Sequence, residues 1–144
     1  MKVSGSYTFD LPAQKVWEAL TDPAVLSGCI PGCSDLEAVG ENQYQASLSV
    51  GVGPVRGNYN AKVSILDMVP PQSYRLVVEG TGPTGFASGE AAIKLIDQGN
   101  RTTVEVDSDA QVGGTVARVG QRLMGSVAKM MMDQLFTCLR EKAA

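Results

Sequence analysis

VARVGQRLMGSVAKMMMDQLFTCLRE (116–141) reads as one long amphipathic helix, and the rest of the fold follows from what that helix must cover. At about 100° per residue its apolar arc holds Val116, Val119, Leu123, Met124, Val127, Met130, Met131, Leu135 and Cys138. Arg118, Arg122, Lys129, Asp133 and Arg140 fall on the other side. A helix divided in this way buries one face. The only large apolar surface elsewhere in the chain is the inner face of a sheet.

That sheet is legible between residues 34 and 112, where the period drops to two. Tyr44, Ala46, Leu48, Val50 and Val52 alternate with Gln43, Gln45, Ser47 and Ser49. Gly53-Pro54 turns the chain into Val55, Gly57, Tyr59, Ala61, Val63 and Ile65. Pro70-Pro71 leads to Tyr74, Leu76 and Val78, and GTGPTG (80–85) to Ala87, Gly89, Ala91, Ile93 and Leu95. Gly99-Asn100 leads to Thr102, Val104, Val106, Ser108, Ala110 and Val112. Polar residues between them predict an antiparallel meander with one buried face. Gly113-Gly114 ends it.

Ahead of the meander, residues 3–9 read as a strand and 13–20 as a helix opened by Pro12. Asp22 is placed to cap a short second helix whose first residue is Pro23 and whose end is Gly28. CIPGC (29–33) is a tight turn. These parts predict an α+β helix-grip architecture: a curved antiparallel sheet around a long C-terminal helix, with two short helices after the first strand. No linker, repeat or low-complexity tract interrupts it, so one domain over 1–144 is expected.

The chain has 144 residues, 44% of them hydrophobic and 19% charged. Folding at this length buries roughly 68–70% of the unfolded surface, enough for a substantial core. A net charge of −3 argues against capture of nucleic acid. There is no histidine, which removes Ser-His-Asp and Cys-His nucleophiles and most zinc sites. Cys29, Cys33 and Cys138 form neither a metal set nor a disulfide framework, so three reduced thiols are expected. No secretory segment opens the sequence and no apolar run approaches the roughly 20 residues that span a bilayer. A cytoplasmic protein is expected, with peripheral membrane contact left open. No cofactor or metal is implied.

The inner face is short of bulk. With strands paired through their turns, Ala46, Ala61, Val78, Ala87 and Ala110 fall in one row, and Gly57, Gly89, Ala91 and Ser108 add to the deficit. Ile65, Tyr74, Ile93, Leu95 and Val104 make the other end bulkier. Either the helix closes onto the small residues or a cavity remains. A dry void of roughly 300 Å³ would cost about 7 kcal/mol at ~24 cal/mol per Å³, comparable to total stability. Such a void implies a hydrophobic guest. Its expected walls are Ala46, Leu48, Tyr59, Ala61, Val78, Ala87, Gly89, Val106 and Ala110 from the sheet and Leu123, Val127 and Met131 from the helix. Tyr59 could donate a hydrogen bond to a ligand carbonyl. Gln134, read as near the centre of the apolar arc, needs a partner, either a backbone carbonyl or the ligand.

Other motifs read as structure. GTGPTG matches a dinucleotide-binding spacing, but a strand follows where a helix N-terminus is needed to hold the pyrophosphate. Asp107 and Asp109 share the polar face. Arg75, Glu79, Glu90 and Lys94 face outward and predict weak cross-strand pairs. Met132 and Phe136 fall on the polar side of the helix, either packed on the first helices, exposed, or touching a membrane or partner.

VWEALTDPAVLSGCIPGCSDLE (16–37), GVGPVRGNYNAKV (51–63) and VGGTVARVGQRLM (112–124) together resemble the CoxG family of carbon monoxide dehydrogenase subunits, within the START-like (SRPBCC) superfamily. Asp22-Pro23, the CIPGC turn and Gly113-Gly114 through Arg122 look typical of it. The resemblance implies a cavity for an apolar molecule such as a lipid or quinone, and association with a molybdenum-containing carbon monoxide dehydrogenase-like oxidoreductase. It implies no catalytic residues. Longer members carry a C-terminal tail associated with the membrane. The expectation is therefore a non-enzymatic carrier. The alternatives are a polyketide-cyclase-like enzyme, with Tyr44, Tyr59, Tyr74 and Ser108 as its inward polar groups, and an accessory protein acting through its surface.

Overall fold

The structure is a computed structural model and describes residues 2–50, 57–83, 85–114 and 121–143. Strand β1 (Lys2–Phe9) leads into helices α1 (Ala13–Thr21) and α2 (Pro23–Cys29). Six strands follow: β2 (Cys33–Gly40), β3 (Gln43–Val50), β4 (Gly57–Val69), β5 (Ser73–Gly82), β6 (Gly85–Asp97) and β7 (Thr102–Gly113). Helix α3 (Gln121–Ala143) closes the chain. The strands make one curled antiparallel sheet of order β1-β7-β6-β5-β4-β3-β2, the helix-grip arrangement that the periodicities predict.

Local chemistry explains the elements. Asp22 accepts a hydrogen bond from the Ala24 N–H at 3.0 Å and Pro23 begins α2, satisfying the helix N-terminus as anticipated. In the CIPGC turn Gly32 has φ +75, and a Cβ there would collide with the Ser49 carbonyl. Only glycine lets the turn sit this close to β3. Strand β2 is an addition to the sequence expectation; its only alternating apolar residues inside a charged run are Leu36 and Ala38, a weak signal. GTGPTG is a hairpin: β5 ends at Gly82 and β6 begins at Gly85, so no helix follows it. Arg75 pairs with Asp67 at 2.9 Å and with Glu90 at 3.1 Å on the outer face, as the outward pattern implies.

The main core occupies one end of the sheet. Phe9, Val16, Val104 and Leu139 are fully enclosed, and Ile65, Tyr74, Ile93 and Leu95 surround them. The Trp17 ring meets Tyr74 edge-on at 5.3 Å. Burial raises the Tyr74 hydroxyl above its ordinary range.

Helix α3 differs from the sequence expectation in phase. Phe136, assigned to the polar side, is buried, stacks on Tyr7 at 4.2 Å and meets Phe9 edge-on. Met132 packs against the same cluster. Gln134 and Met130, assigned to the apolar arc, are exposed. The buried arc is thus turned by roughly 60°, under two-thirds of a residue step. The aromatic pair Tyr7 and Phe9 on β1 sets the phase, because covering two rings outweighs covering one methionine. Lys129 and Asp133 lie at the edge of this contact. The Tyr7 hydroxyl donates to Asp133 Oδ1 at 2.5 Å, and Lys129 Nζ donates to Asp133 at 2.8 Å and to Tyr7 at 3.1 Å. The Lys129 ammonium holds the Asp133 carboxyl below its ordinary range, and Asp133 in turn raises Lys129. The start of the predicted helix, with Val116 and Val119, lies outside the described residues.

The cysteine expectation is also corrected. Cys29 and Cys138 form a disulfide across 109 positions, with Cα atoms 5.4 Å apart, fastening the end of α2 to α3. Cys33 stays outside the bond and keeps its thiol. The CxxxC spacing draws the eye to Cys29 and Cys33, whereas the bonding partner comes from the opposite end of the chain.

Candidate functional site

Between the other end of the sheet and the N-terminal half of α3 lies a cavity of about 370 Å³. It exists because of residue size. The register places Ala46, Ala61, Gly80, Ala87 and Val112 in one row, with Tyr44, Val63, Val78, Gly89 and Ala110 in the next. The row expected from the turns holds between β3 and β4 but is displaced by two residues at each of the pairs β4–β5, β5–β6 and β6–β7. A shift of two keeps every side chain on its own face, so the small residues still face inward. Opposite them α3 offers Met124, Val127, Ala128 and Met131, of which Val127 is buried among Val112, Met124 and Met131.

Among the residues expected as walls, Leu48, Tyr59, Ala61, Val78, Ala87, Gly89, Ala110, Val127 and Met131 line this space. Ala46 and Val106 do not: Ala46 is enclosed beside it, and Val106 belongs to the main core. Gln134 lies outside, exposed on α3 along an open groove between the helix and β1. The rotation of α3 takes it away from the sheet, so its amide meets solvent and needs no ligand partner. The side chain of Leu123 is outside the described residues. Lining residues that the sequence reading did not choose include Leu76, Gly80, Ala91, Ser108, Val112 and Met124. Their inward parity on strand and helix was the available signal.

The cavity is poor in chemistry: the titratable residues bordering it, Glu90 and Asp109, occupy outward-facing, exposed strand positions, and Glu90 accepts from Arg75. The Ser108 hydroxyl donates to the Val3 carbonyl at 2.5 Å, which ties the hydroxyl to β1. Tyr74 is buried in the main core and Tyr44 packs against it, so of the inward tyrosines only Tyr59 reaches the space. Among the described residues no three His, Cys, Asp or Glu side chains converge as a metal site, and no helix is long and apolar enough to cross a membrane. The space has room for about twelve water-sized groups at ~30 Å³ each, and falls within the roughly 300–1,000 Å³ of small-molecule sites. Water there finds few partners, while an apolar guest gains about 0.8 kcal/mol per buried CH₂.

A family model that describes CoxG, a subunit of carbon monoxide dehydrogenase, matches residues 5–144. No curated protein sequence matches the chain. Among solved structures, a conserved protein from Geobacillus kaustophilus is 37% identical with a TM-score of 0.96, over 99% of this chain and 95% of that one. A START superfamily protein from Mycobacterium smegmatis is 12% identical with a TM-score of 0.78, over 99% and 96%. The Zhui aromatase/cyclase from Streptomyces sp. R1128 is 17% identical with a TM-score of 0.71, over 99% and 93%. The last two likenesses concern the fold alone.

Proposed function

Because the chain belongs to the CoxG family of carbon monoxide dehydrogenase subunits, we propose that it is a non-enzymatic binding or carrier protein for a hydrophobic small molecule, a lipid or a quinone. It holds that molecule in the cavity between sheet and α3, as an accessory to a molybdenum carbon monoxide dehydrogenase-like oxidoreductase. Any membrane contact is peripheral. The observation that carries this reading is the carbon-lined space of about 370 Å³ beside a fully packed core. Dry, a void of that size would cost about 9 kcal/mol at ~24 cal/mol per Å³. A guest removes that penalty. The non-enzymatic reading is supported by the scarcity of polar groups. General acid–base chemistry needs a titratable group within hydrogen-bond reach of the reacting atom, and the Ser108 hydroxyl is already turned to Val3. Tyr59 is the inward phenol that lines the space.

Native mass spectrometry of the purified protein, followed by organic extraction, tests the proposal. A hydrophobic adduct is expected. Ala110→Leu, which places a larger side chain in the space, is expected to abolish its retention while leaving the folded state intact. A protein that emerges empty, and that no lipid or quinone stabilises against heat, refutes the carrier reading.

A further inference from the structure

We infer that Tyr59 is a threshold residue: its ring, laid across strand β5 on Gly82, sets the clearance at the open end of the cavity and so governs how fast a guest enters and leaves. The inference rests on the ligand-binding reading above and concerns rate rather than affinity.

The cavity has a closed end and an open one. Toward the main core its lining ends at Leu76, Ala91 and Ser108, beyond which Ile93 and Val106 are buried in that core. Toward the β5–β6 turn exposure rises, with Ala87 exposed although it faces inward. Tyr59 stands in the last row of that end. It pairs with Leu48 on β3, and the step from Asn60 opposite Thr81 brings Gly82 beside it on β5. Gly82 in turn pairs with Gly85 on β6. Across β4, β5 and β6 this row therefore holds one bulky side chain and two glycines.

The ring uses the room those glycines leave. A Cβ on Gly82 would lie 2.5 Å from Cδ1 and 2.8 Å from Cε1 of Tyr59, closer than side chains tolerate. The phenol ring thus rests where residue 82 would carry a side chain. It lines the cavity and is partly exposed, so a guest passing this end slides over it or displaces it. Groups that contact only a seated ligand act mostly on dissociation, whereas a group that must move during passage acts on both rate constants.

Stopped-flow fluorescence with 1-anilinonaphthalene-8-sulfonate, which has no carbonyl, tests this. Tyr59→Ala is expected to raise the association and dissociation rate constants together by roughly tenfold, with Kd within about threefold of the native protein. Gly82→Ala, whose Cβ would also lie 2.9 Å from the Asn58 carbonyl oxygen, displaces the ring and is expected to slow both. Should Gly82→Ala fail to fold, Tyr59→Ala decides alone. A Tyr59→Ala protein whose association rate is unchanged overturns the threshold. Failure of the native protein to bind the probe overturns the cavity reading itself.

Discussion

Loss of the Cys29–Cys138 disulfide should lower stability by an amount the topology sets. The bond joins positions 109 apart, so the unfolded chain carries a closed loop of nearly the whole domain. Loop-closure entropy for such a ring corresponds to about 4.8 kcal/mol at 25 °C, within the ~2–5 kcal/mol usual for loss of a native disulfide. Unfolding entropy near the midpoint is about 2.1 cal/mol/K per residue. For 144 residues that is about 0.30 kcal/mol/K. Cys138→Ser should therefore lower Tm by between roughly 7 and 16 °C. Cys138 is the better position to change, because Cys29 is 5% exposed and a buried serine hydroxyl there adds its own desolvation. The assay is calorimetry of the oxidised protein, the same protein with a thiol reductant, Cys138→Ser, and Cys33→Ser as the control that leaves the bond intact. Reduced protein and Cys138→Ser should fall together, with Cys33→Ser near the native value. A Tm within about 2 °C across all four, or three titratable thiols in the unreduced protein, would refute the reasoning.

The Tyr7–Lys129–Asp133 contact makes a pH prediction. Lys129 lowers the folded-state pKa of Asp133 below its ordinary 3.8, so this stabilisation is fully present above the unfolded value and lost as pH falls through the lower, folded one. Asp133→Asn should flatten the acid limb of the stability profile; identical limbs in chemical denaturation would count against the contact. Phe136→Ala removes a ring that is 4% exposed and stacked on Tyr7. It should cost about 3–5 kcal/mol, read as a lower denaturant midpoint at unchanged m; a loss below about 1 kcal/mol would place the ring outside the core.

What could be read without coordinates divides along the range of the interactions involved. The strand faces were legible because alternation is a property of neighbouring residues: Ala61, Val78, Ala87 and Gly89 were assigned inward and line the cavity. The caps and turns, Asp22 and GTGPTG among them, were legible for the same reason. The phase of α3 was not. Its apolar residues wrap more than half its circumference, and the choice between Met130 and Phe136 belonged to Tyr7 and Phe9, more than a hundred positions away in the chain. That choice moved Gln134 off the site and Met132 onto the core.

The amino-acid order by itself therefore determined the element types apart from β2, the inward set of small side chains and the helix-grip class, all of which follow from spacing and backbone chemistry within a few residues. Only the tertiary structure decided the strand register, the rotation of the long helix, the bonding of Cys29 to Cys138 and the position of the cavity. Each depends on contacts between segments distant in sequence, which no local pattern encodes.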